Sequence, residues 1–379
     1  MHRIVIIGGG PGGTITANHL VDHLGAELRS GEVQITLLTD KPEQVYKPGF
    51  LYLAFGLEAP EHIRRPVREL VSPYVDVRVE RVTKVDTDQR QVMVEGGGSH
   101  PFDQLILASG SRLDPAATPG LAEAGDWFYD EADAQRLHDK LEALEKGRVV
   151  VSVIGVPHMC PVAPFEVTFM LDHWLERRGL RGDVELTYTY PINRTHSIAS
   201  LAEWATPELQ KRNVHIETFF NAESVDVENK VLKSMEGTEL EFDILIAIPE
   251  HRSAEFLEAS GLTEAGWVPT DRNTLEVVGH EGVWALGDTT GLPVSKAGSV
   301  AHYQSATLAK NVAARVHGLE PVARYDGKTI CFIEAGLDSA TFIEFSYTRP
   351  PEVQPPSKMI HWAKLAYNNA YWLTAKGAL

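Results

Sequence analysis

The sequence is poor in cysteine and in positive charge, and it lacks long apolar segments. Its 379 residues include only two cysteines, and 35 lysines and arginines face 52 aspartates and glutamates, a formal net charge of −17. Two cysteines are too few for a disulfide framework. The negative charge argues against a nucleic-acid partner, because phosphates would be repelled. No run of about 18 apolar residues is present, so we expect no segment that spans a bilayer.

The remaining composition is that of an ordinary globular protein, with 43% hydrophobic and 23% charged residues. A chain of this length is too large for one small core, so two or three domains are expected. No basic segment followed by an apolar stretch precedes the first predicted strand, so we expect no signal peptide and a cytoplasmic location. This composition leaves room for a local basic or apolar membrane patch, and no metal site is predicted.

Residues 3–13 (RIVIIGGGPGG) contain the most informative motif. The apolar run 4–7 predicts a strand, residues 14–20 continue as a helix, and the pattern G-x-G-x-x-G lies between them. The first glycine permits a tight bend, the second lets the backbone approach a pyrophosphate, and the third lets the helix pack on the strand. The N–H groups of the helix N-terminus attract phosphate. We therefore predict a dinucleotide site, with an unliganded turn as the alternative, at Gly8, Gly10, Pro11, Gly12 and Gly13.

Three further segments are expected to reach the same ligand. The predicted strand 33–38 (VQITLL) ends at Thr39 and Asp40, where an acidic residue usually binds a ribose hydroxyl. A turn or capping role for this aspartate is the alternative. Residues 104–110 (QLILASG) and 282–288 (GVWALGD) predict buried strands that end in small residues, and the final aspartate of the second can accept hydrogen bonds from sugar-like hydroxyls. The candidate residues at these two strand ends are Ala108, Ser109, Gly110, Gly287 and Asp288.

The chain between these segments predicts an alternation of strands and helices. Short antiparallel strands are expected at Val75–Val79, 81–85 and Gln91–Val94. Residues 41–56 (KPEQVYKPGFLYLAFG) indicate a loop rich in aromatic residues and turn formers. Amphipathic spacing predicts a helix over 130–146.

A second dinucleotide fold begins at the predicted strand 148–154, but its turn is degenerate. The sequence continues VSVIGVPHMCPVAPFE, and no second glycine pattern follows Gly155. Two prolines stand where glycine would be needed, and His158 and Met159 are too bulky for close approach of a phosphate. We therefore predict a Rossmann-like domain that has lost its nucleotide, in a protein whose electrons do not come from NAD(P)H.

Cys160 and Cys331 lie 171 positions apart, and three roles are open to them. A structural disulfide across so long a loop would contribute about 5 kcal/mol by chain entropy. Two buried thiols can also be inert. A redox role is favoured, because Cys160 begins a helix-like segment whose N-terminus would lower its thiol pKa. Cys331 lies in a strand-like run, KTICFIEAG.

In order and over nearly the full length, the motifs resemble the sulfide:quinone oxidoreductase family. The matching segments are GGGPGG, LILASGS, CPVAPFE, GVWALGD, VSKAG and KTICFIEAG. The resemblance implies an α/β protein with two Rossmann-like, three-layer domains of the FAD/NAD(P)-disulfide oxidoreductase type and a C-terminal amphipathic helical tail. The implied regions are 1–112 and 266–318 for FAD, 113–265 with the degenerate nucleotide site, and 319–379 with the second cysteine and membrane-associated helices.

FAD is the cofactor that this resemblance implies. Pro48 resembles a proline found beside the isoalloxazine ring in several flavoproteins, although a plain surface loop is the alternative there. The segment VSKAG, which ends at Gly298, precedes a helix predicted over 301–317 whose N-terminus can point at the flavin. Lys296 would neutralise the reduced, anionic flavin, and a solvated lysine is the alternative.

The resemblance also implies a reaction for the cysteines. Cys160 and Cys331 would form a disulfide, or one bridged by extra sulfur. Hydrosulfide would attack Cys160 and leave a persulfide there, and the freed Cys331 thiolate would pass two electrons to FAD. Glu166 and His196 are the candidates for proton transfer, and an ordinary surface position is the alternative for the histidine.

Beyond a proline-rich break at 350–356, the C-terminal segment predicts an amphipathic helix with a polar strip of His361, Lys364 and Asn368. A basic, aromatic tail of this kind suits an interfacial anchor. The family resemblance implies monotopic attachment to the cytoplasmic face of the cell membrane, beside a quinone pocket. The alternative is a helix docked on the protein's own core or on a second subunit of a homo-oligomer. The predicted apolar face comprises Met359, Trp362, Ala363, Ala366, Ala370 and Leu373, widened by Ile360, Tyr367 and Tyr371.

The leading interpretation is an FAD enzyme that oxidises sulfide to polysulfide or persulfide sulfur and passes the electrons to quinone. One alternative is the flavin subunit of a flavocytochrome c-type sulfide dehydrogenase, which should carry an export signal. Another is a non-catalytic, flavin-bound sulfur carrier or sensor. A type II NADH:quinone enzyme would need the second glycine pattern, which is missing.

Overall fold

Residues 1–377 are described by the computed structural model, whose framework is two parallel five-stranded sheets. In the first sheet the side chains of the central strand alternate between two covered faces. Ile4 and Ile6 pack among helix residues, whereas Val5 and Ile7 pack against an antiparallel sheet. A strand that is buried on both faces needs apolar residues in succession, which explains the run at 4–7. In spatial order the strands are Val283–Ala285, Gln104–Leu107, His2–Ile7, Val33–Thr39 and Val75–Val79.

The second sheet repeats this arrangement. Val149, Val151 and Val153 of its central strand pack in a cluster with aromatic residues of helix Ala163–Arg177. Val150 points to the opposite face and packs against a second antiparallel sheet. In spatial order the strands are Gly125–Asp126, Ile244–Ile248, Gly147–Val153, Val184–Tyr190 and His215–Thr218, and all neighbours are parallel.

Three three-stranded antiparallel sheets accompany the parallel ones in the described chain. The first covers one face of the first parallel sheet, the second covers one face of the second parallel sheet, and the third lies near the C-terminus. Their strands are Val82–Asp86, Gln91–Val94 and Ser99–Pro101, then Ala222–Asp226, Val231–Ser234 and Glu239–Glu241, then Thr329–Glu334, Ala340–Phe345 and Glu352–Val353. Two short ladders pair Ser111–Asp114 with Glu250–Ser253 and Glu43–Val45 with Arg64–Pro66.

Helices cover the outer faces of the parallel sheets. Helices Pro11–His23 and Gly298–Val316 lie side by side on the first sheet, where the Ser305 hydroxyl donates to the Gly12 carbonyl at 3.3 Å. None of the helices within residues 1–377 combines the length and the apolar character needed to cross a membrane. The α-helices are Pro11–His23, Gly25–Ser30, Gly49–Ala54, Val67–Leu70, Leu121–Ala124, Glu131–Glu142, Ala163–Arg177, Ala199–Lys211, Glu255–Ala259, Gly298–Val316 and Lys358–Thr374, with 3₁₀ turns at Pro115–Ala117 and Gly287–Thr289.

The predicted α/β class with two Rossmann-like sheets is confirmed, and two local predictions are wrong. Val75–Val79 is a parallel edge strand of the first sheet rather than an antiparallel strand, because it pairs with Val33–Thr39. The expected loop 41–56 contains the helix Gly49–Ala54, all of whose residues are buried. Its apolar side chains share a cluster with those of helix Glu131–Glu142, so packing rather than propensity forms this helix.

Candidate functional site

The glycine-rich turn after the first strand has the geometry that its pattern predicts. Gly8 has φ 121°, and a Cβ on Gly13 would lie 1.9 Å from the Gly8 carbonyl oxygen, so the strand and the helix meet through these two glycines. A Cβ on Gly10, in contrast, would meet no atom within 4 Å. The backbone at this glycine therefore faces open space. Helix Pro11–His23 starts there without a side-chain cap, which leaves its first N–H groups free for phosphate.

The other strand ends predicted to contact the dinucleotide lie beside this turn. A Cβ on Gly8 would lie 2.3 Å from the Ala108 carbonyl oxygen. The Gly110 N–H donates to the Thr289 hydroxyl at 2.8 Å, and the Ser111 hydroxyl donates to an Asp288 carboxylate oxygen at 3.4 Å. The chain thus brings 108–110 and 287–288 to one edge of the sheet. Helix Gly298–Val316 also begins there without a side-chain cap.

Thr39 and Asp40 differ in their accessibility at the end of their strand. Thr39 is buried, and its hydroxyl donates to the Lys41 carbonyl at 2.9 Å. A Cβ on Gly9 would lie 2.6 Å from this hydroxyl oxygen, which places Thr39 against the glycine-rich turn. Asp40 is exposed, so its carboxylate is free to meet a ligand. Two uncapped helix N-termini, an open glycine and an accessible acid are a donor and acceptor set that fits a dinucleotide.

The turn after the central strand of the second sheet is filled with side chains. His158 and Met159 are buried, and the His158 ring N–H at Nδ1 donates to the Met159 carbonyl at 3.2 Å. The Lys47 ammonium lies 3.7 Å from the Met159 sulfur, which brings the neighbouring Pro48 to this turn as well. Cys160 follows in the left-handed region at φ 51°, an uncommon conformation for a residue with a side chain.

The environment of Cys160 differs from the predicted helix N-terminus. The helix begins at Ala163, and the Cys160 N–H donates to the Lys296 carbonyl at 2.7 Å. Burial raises the pKa of the Cys160 thiol well above its ordinary range. The negative charges of Glu166 and Cys331 act in the same direction, and the Lys364 cation opposes them. The prediction of a lowered thiol pKa is therefore wrong for the free thiol.

Cys331 lies on the strand Thr329–Glu334 and is buried. Burial raises the pKa of its thiol to about 12, while a hydrogen bond from the Ser295 side chain lowers it. The charge of Glu166 raises this pKa and that of Lys364 lowers it, as they do for the other thiol. Both cysteines are free thiols in this structure, and both pack in one apolar cluster. The fold thus brings two sulfurs from distant parts of the chain into one electrostatic environment.

Glu166 is the residue that joins the cysteines to the C-terminal helix. One of its carboxylate oxygens lies 3.9 Å from the Cys160 sulfur. The other accepts from the Glu334 N–H at 3.0 Å and forms a buried ion pair with Lys364. Burial alone would lower the pKa of Lys364, but the surrounding carboxylates raise it well above its ordinary value. The surrounding carboxylates therefore favour the charged form of this lysine.

A second buried carboxylate, Glu334, extends this arrangement. It lies 3.5 Å from the Lys364 ammonium, accepts a hydrogen bond from the Tyr52 hydroxyl, and contacts the His361 ring at 2.8 Å. The result is a continuous polar network of Glu166, Lys364, Glu334, His361 and Tyr52 that begins at the first cysteine. A network of this kind can hold and move a proton out of contact with bulk water.

Two of the predicted site residues are occupied by structural contacts. The His196 ring donates from Nε2 to the Pro161 carbonyl at 3.0 Å and accepts at Nδ1 from the Ile198 N–H at 2.9 Å. Burial lowers the pKa of His196 to about 4. The Lys296 ammonium donates to the carbonyls of Asp288 and Thr290 at 2.8 and 2.9 Å. These contacts favour a positioning role for both residues over proton transfer or direct contact with a flavin.

The C-terminal helix Lys358–Thr374 is oriented with its polar strip inward. His361 and Lys364 are buried, whereas Met359 and Trp362 are 77% and 70% exposed. Asn368 accepts a hydrogen bond from the Tyr46 hydroxyl, which fixes the middle of the helix to the first domain. The helix therefore docks on the protein through its polar residues, and it presents Met359, Trp362 and Leu373 of the predicted apolar face outward. The prediction is wrong for Tyr371, which is 6% exposed and packs in the core cluster.

Comparisons with known proteins agree with this architecture. The family model for pyridine nucleotide-disulphide oxidoreductases matches residues 2–311. The chain belongs to this family. Membership implies a flavin cofactor, and it confirms the expected type of fold.

Relatives that align over most of this chain are named sulfide:quinone oxidoreductases, the family that the motifs predicted. The chain is 23% identical over 378 residues to the mitochondrial sulfide:quinone oxidoreductase of Schizosaccharomyces pombe, and this alignment covers 93% of this chain and 82% of the relative. The structure of sulfide:quinone oxidoreductase from Aquifex aeolicus matches with a TM-score of 0.88 at 21% identity, over 100% of this chain and 92% of that one. The expected resemblance to the sulfide:quinone oxidoreductases is confirmed.

The same fold also occurs in an NADH-binding relative. NDH2 from Plasmodium falciparum, solved in complex with NADH, matches with a TM-score of 0.75 at 12% identity, over 99% of this chain and 97% of that one. The fold of this oxidoreductase therefore does not by itself decide the source of electrons. That decision depends on the residues of the second turn.

Sequence reasoning missed four members of the polar network in this oxidoreductase. Lys364 and His361 were expected only on the polar strip of the C-terminal helix, although they are 6% and 8% exposed. Glu334 and Tyr52 were not singled out. A signal was available for Glu334, because an acidic residue in the apolar strand run KTICFIEAG is costly to bury without a partner.

Proposed function

We propose that this oxidoreductase is an FAD-dependent enzyme that oxidises sulfide at a cysteine pair and passes the electrons to membrane quinone. The observation that carries the proposal is that Cys160 and Cys331 pack in one apolar cluster, where the Cys160 sulfur lies 3.9 Å from the Glu166 carboxylate that pairs with Lys364. The full-length relatives named for sulfide and quinone support the same assignment.

The residues present at the first turn fit FAD. Gly8, Gly10, Pro11, Gly12 and Gly13 would hold its pyrophosphate, and Thr39 or Asp40 its adenosine ribose. Gly110, Gly287 and Asp288 would contact the ribityl chain, and Gly298 would present a helix N-terminus to the ring. FAD would supply acceptance of two electrons and their later delivery to quinone.

The sulfide step can be written with balanced atoms and electrons. In the oxidised enzyme the two cysteines form a disulfide. Hydrosulfide attacks the Cys160 sulfur, an S–S bond forms between them, and the bond to Cys331 breaks. The Cys160 side chain becomes a persulfide, and Cys331 leaves as a thiolate that holds the electron pair. The incoming sulfur is oxidised and the cysteine sulfur is reduced, so the step needs no other reactant.

Glu166 is positioned to take the proton of the persulfide. Its carboxylate lies 3.9 Å from the Cys160 sulfur and pairs with Lys364 on its other oxygen. From there a proton can pass along the buried network to Glu334 and His361 under the C-terminal helix. His196 donates to the Pro161 carbonyl and so holds the turn that carries Cys160. We assign it a positioning role.

The outward apolar face of the C-terminal helix is proposed to rest on a membrane surface. Met359, Trp362 and Leu373 are 77%, 70% and 58% exposed on this face. Lys358 and Lys376 lie near its two ends and suit anionic headgroups. Peripheral attachment of this kind, which we propose on the cytoplasmic face, would deliver quinone to the side of the flavin opposite the cysteines.

Anaerobic addition of sulfide to the FAD-loaded protein tests the proposal. We expect rapid bleaching of the flavin in the natural chain and none in Cys331→Ser, with FAD still bound. Ile330→Val, a mild change in the same strand, is the matched control and should bleach normally. Undiminished bleaching in Cys331→Ser would refute the cysteine mechanism. Absence of bleaching in the natural chain would instead favour a sulfur carrier or sensor.

The electron acceptor is identified by the second half of the reaction. A soluble quinone analogue should reoxidise the sulfide-reduced protein within one turnover time, and a c-type cytochrome should not. The reverse result would favour the flavin subunit of a sulfide dehydrogenase. Flotation with anionic vesicles should retain the full chain and lose a variant that ends at residue 356.

A further inference from the structure

Lys296, the cation predicted to neutralise a reduced flavin, is committed to other partners. Its ammonium donates to the carbonyls of Asp288 and Thr290 at 2.8 and 2.9 Å, and it lies 3.3 Å from the centre of the Trp267 ring. Because two carbonyls and an aromatic face already satisfy this ammonium, little of its charge is left for a cofactor. A cofactor that becomes negative on reduction would have to find its counter-charge on another residue.

Lys47 brings a positive charge to the same region, and this charge is unpaired. The Lys47 ammonium lies 3.7 Å from the Met159 sulfur, and within residues 1–377 it forms no ion pair with a carboxylate. Met159 in turn forms a parallel bridge with Lys296, whose carbonyl accepts a hydrogen bond from the Cys160 N–H at 2.7 Å. Lys47 therefore lies against the turn that carries the first cysteine, beside the loop whose lysine reaches the strand end at Asp288.

The Lys47 side chain lines a cleft inside the protein rather than the open surface. Lys47 and Pro48 are exposed, although the residues on both sides of them are buried. Burial nevertheless lowers the pKa of the Lys47 ammonium, and the charge of Asp288 acts in the opposite direction. A side chain that water reaches while protein surrounds it lines a cleft, and this cleft lies between the strand end at Asp288 and the cysteine turn.

The backbone that carries Lys47 is held from both sides. On one side, the Tyr46 N–H donates to the Ile63 carbonyl at 2.7 Å, and the centre of the Tyr46 ring lies 4.3 Å from that of Tyr371. On the other side, the Phe50 N–H donates to the Lys47 carbonyl at 3.0 Å, where the buried helix Gly49–Ala54 begins. A charge on a fixed backbone needs little reorganisation when it meets a new negative charge.

We propose that Lys47 faces the flavin and stabilises the negative charge of its reduced form, so that this lysine raises the reduction potential of the bound cofactor. The inference rests on the proposed function and adds a residue to it. A flavin that takes up two electrons and one proton gains one negative charge, and a cation beside the ring favours that form over the neutral, oxidised one. In the proposed reaction the electron pair comes from the Cys331 thiolate, so Lys47 makes its acceptance more favourable.

The reduction potential of the FAD-loaded protein tests the proposal, and an anaerobic spectroscopic titration against a reference dye measures it without sulfide or quinone. Lys47→Met keeps the apolar stem and removes the charge. It should shift the two-electron equilibrium about tenfold toward oxidised flavin, which corresponds to about 30 mV. Lys47→Arg keeps the charge and should restore most of the potential. Lys84→Met, which removes an exposed lysine from the strand Val82–Asp86, is the matched control and should leave the potential unchanged.

The affinity of the protein for FAD gives a second measurement. Because binding and reduction are linked, Lys47→Met must lose about tenfold more affinity for reduced FAD than for oxidised FAD. A residue that only packs against Met159 would change both affinities alike and leave the potential where it is. An unchanged potential in Lys47→Met, or failure of Lys47→Arg to restore it, would overturn the proposal.

These titrations separate the role of Lys47 from the proposed function. A tenfold shift in Lys47→Met, together with no sulfide-driven bleaching of the natural chain, would uphold the role of Lys47 and contradict the proposed function. Normal bleaching together with an unchanged potential in Lys47→Met would contradict the further inference alone. Failure of the natural chain to bind FAD would contradict both.

Discussion

The two parallel sheets of this oxidoreductase share an architecture, but the turns after their central strands have opposite contents. After His2–Ile7 the turn is built of glycine, and a Cβ on Gly10 would meet no atom within 4 Å. After Gly147–Val153 the corresponding glycine, Gly155, faces the backbone of Glu250, where a Cβ would lie 2.4 Å from the Cα atom. One turn leaves space for a ligand, and the other is closed by the protein itself.

This difference shows how one strand-turn-helix unit can carry two kinds of chemistry. An open glycine turn offers backbone N–H groups to a phosphate. A closed turn can instead hold a reactive side chain, because the surrounding residues fix its backbone. The left-handed conformation of Cys160 and its N–H bond to the Lys296 carbonyl show this second use. The five predictions below test the comparison, from the largest expected effect to the smallest.

Substitution in the first turn should have the largest effect. Gly13→Ala would place a Cβ 1.9 Å from the Gly8 carbonyl oxygen, and the backbone cannot give way without separating helix from strand. We expect a loss of about 3 kcal/mol or more in the free energy of unfolding and loss of bound FAD. Denaturant titration and the flavin content per chain measure these. Gly182→Ala, in an exposed turn with no atom near its Cβ and no left-handed backbone conformation, controls for glycine replacement itself. Retention of FAD by Gly13→Ala would refute the assignment of this turn.

The buried network beneath the second turn should show the next largest effect. Lys364→Met removes the cation that pairs with Glu166 and lies near Glu334, and it leaves two buried carboxylates without it. Breaking a buried ion pair in this way costs about 3–5 kcal/mol. Lys358→Met, on the same helix but 74% exposed at its side chain, should cost less than about 1 kcal/mol. Equal losses in the two variants would show that the network contributes no special stability.

The pH dependence of this network has a defined sign. The pKa of Lys364 is raised above its ordinary value by the carboxylates, so its stabilising charge is present at neutral pH. That contribution is lost only as pH rises through the elevated pKa in the folded state. The difference in stability between the natural chain and Lys364→Met should therefore persist from neutral pH to at least pH 10. Its disappearance at a lower alkaline pH would contradict the assigned ion pair.

Acid should weaken the second turn before the first. Burial lowers the pKa of His158 and of His196 to about 4, whereas the turn Gly8–Gly13 contains no titratable side chain. Between pH 6.5 and about 4 the unfolded chain binds protons that the folded chain does not, so stability falls as pH falls. The expected slope is about 1.4 kcal/mol per pH unit for each histidine. Denaturant titrations of the natural chain and His196→Asn across this range measure it, and equal slopes would contradict the prediction for His196.

The sequence predicted the framework well because local rules govern it. The apolar run 4–7 followed by glycines has one common structural solution, and Gln91–Val94 matches its predicted bounds. Helix Gly49–Ala54 was missed because aromatic residues and turn formers obscured it, and its formation depends on contacts with a distant helix. Val75–Val79 was assigned to the wrong partner because an alternating edge strand does not itself specify whether its neighbour is parallel.

The site was predicted only in part, because its electrostatics depend on long-range contacts. The candidate residues Cys160, Cys331 and Glu166 came from motifs, and the structure places them in one environment. Lys364, the ion-pair partner of Glu166, lies 198 positions away on the helix Lys358–Thr374. The polar strip of this helix has the sequence pattern of a face exposed to solvent. Periodicity gives the two faces of a helix but not which face is buried when both contain aromatic residues. The predicted domain limits and cofactor contacts stay predictions.

The smallest expected effect is the absence of a response to NADH. His158 and Met159 are 2% and 9% exposed and fill the second turn, and Gly155 has no space for a phosphate beside it. NADH added anaerobically to the FAD-loaded protein should therefore leave the flavin oxidised, as read by its visible absorbance. His158→Gly tests whether bulk alone closes the turn. We expect no reduction in this variant either, because the backbone of Glu250 remains against Gly155. Bleaching of the natural chain by NADH would show that the second turn binds a nucleotide, and the contrast between the two turns would then fail.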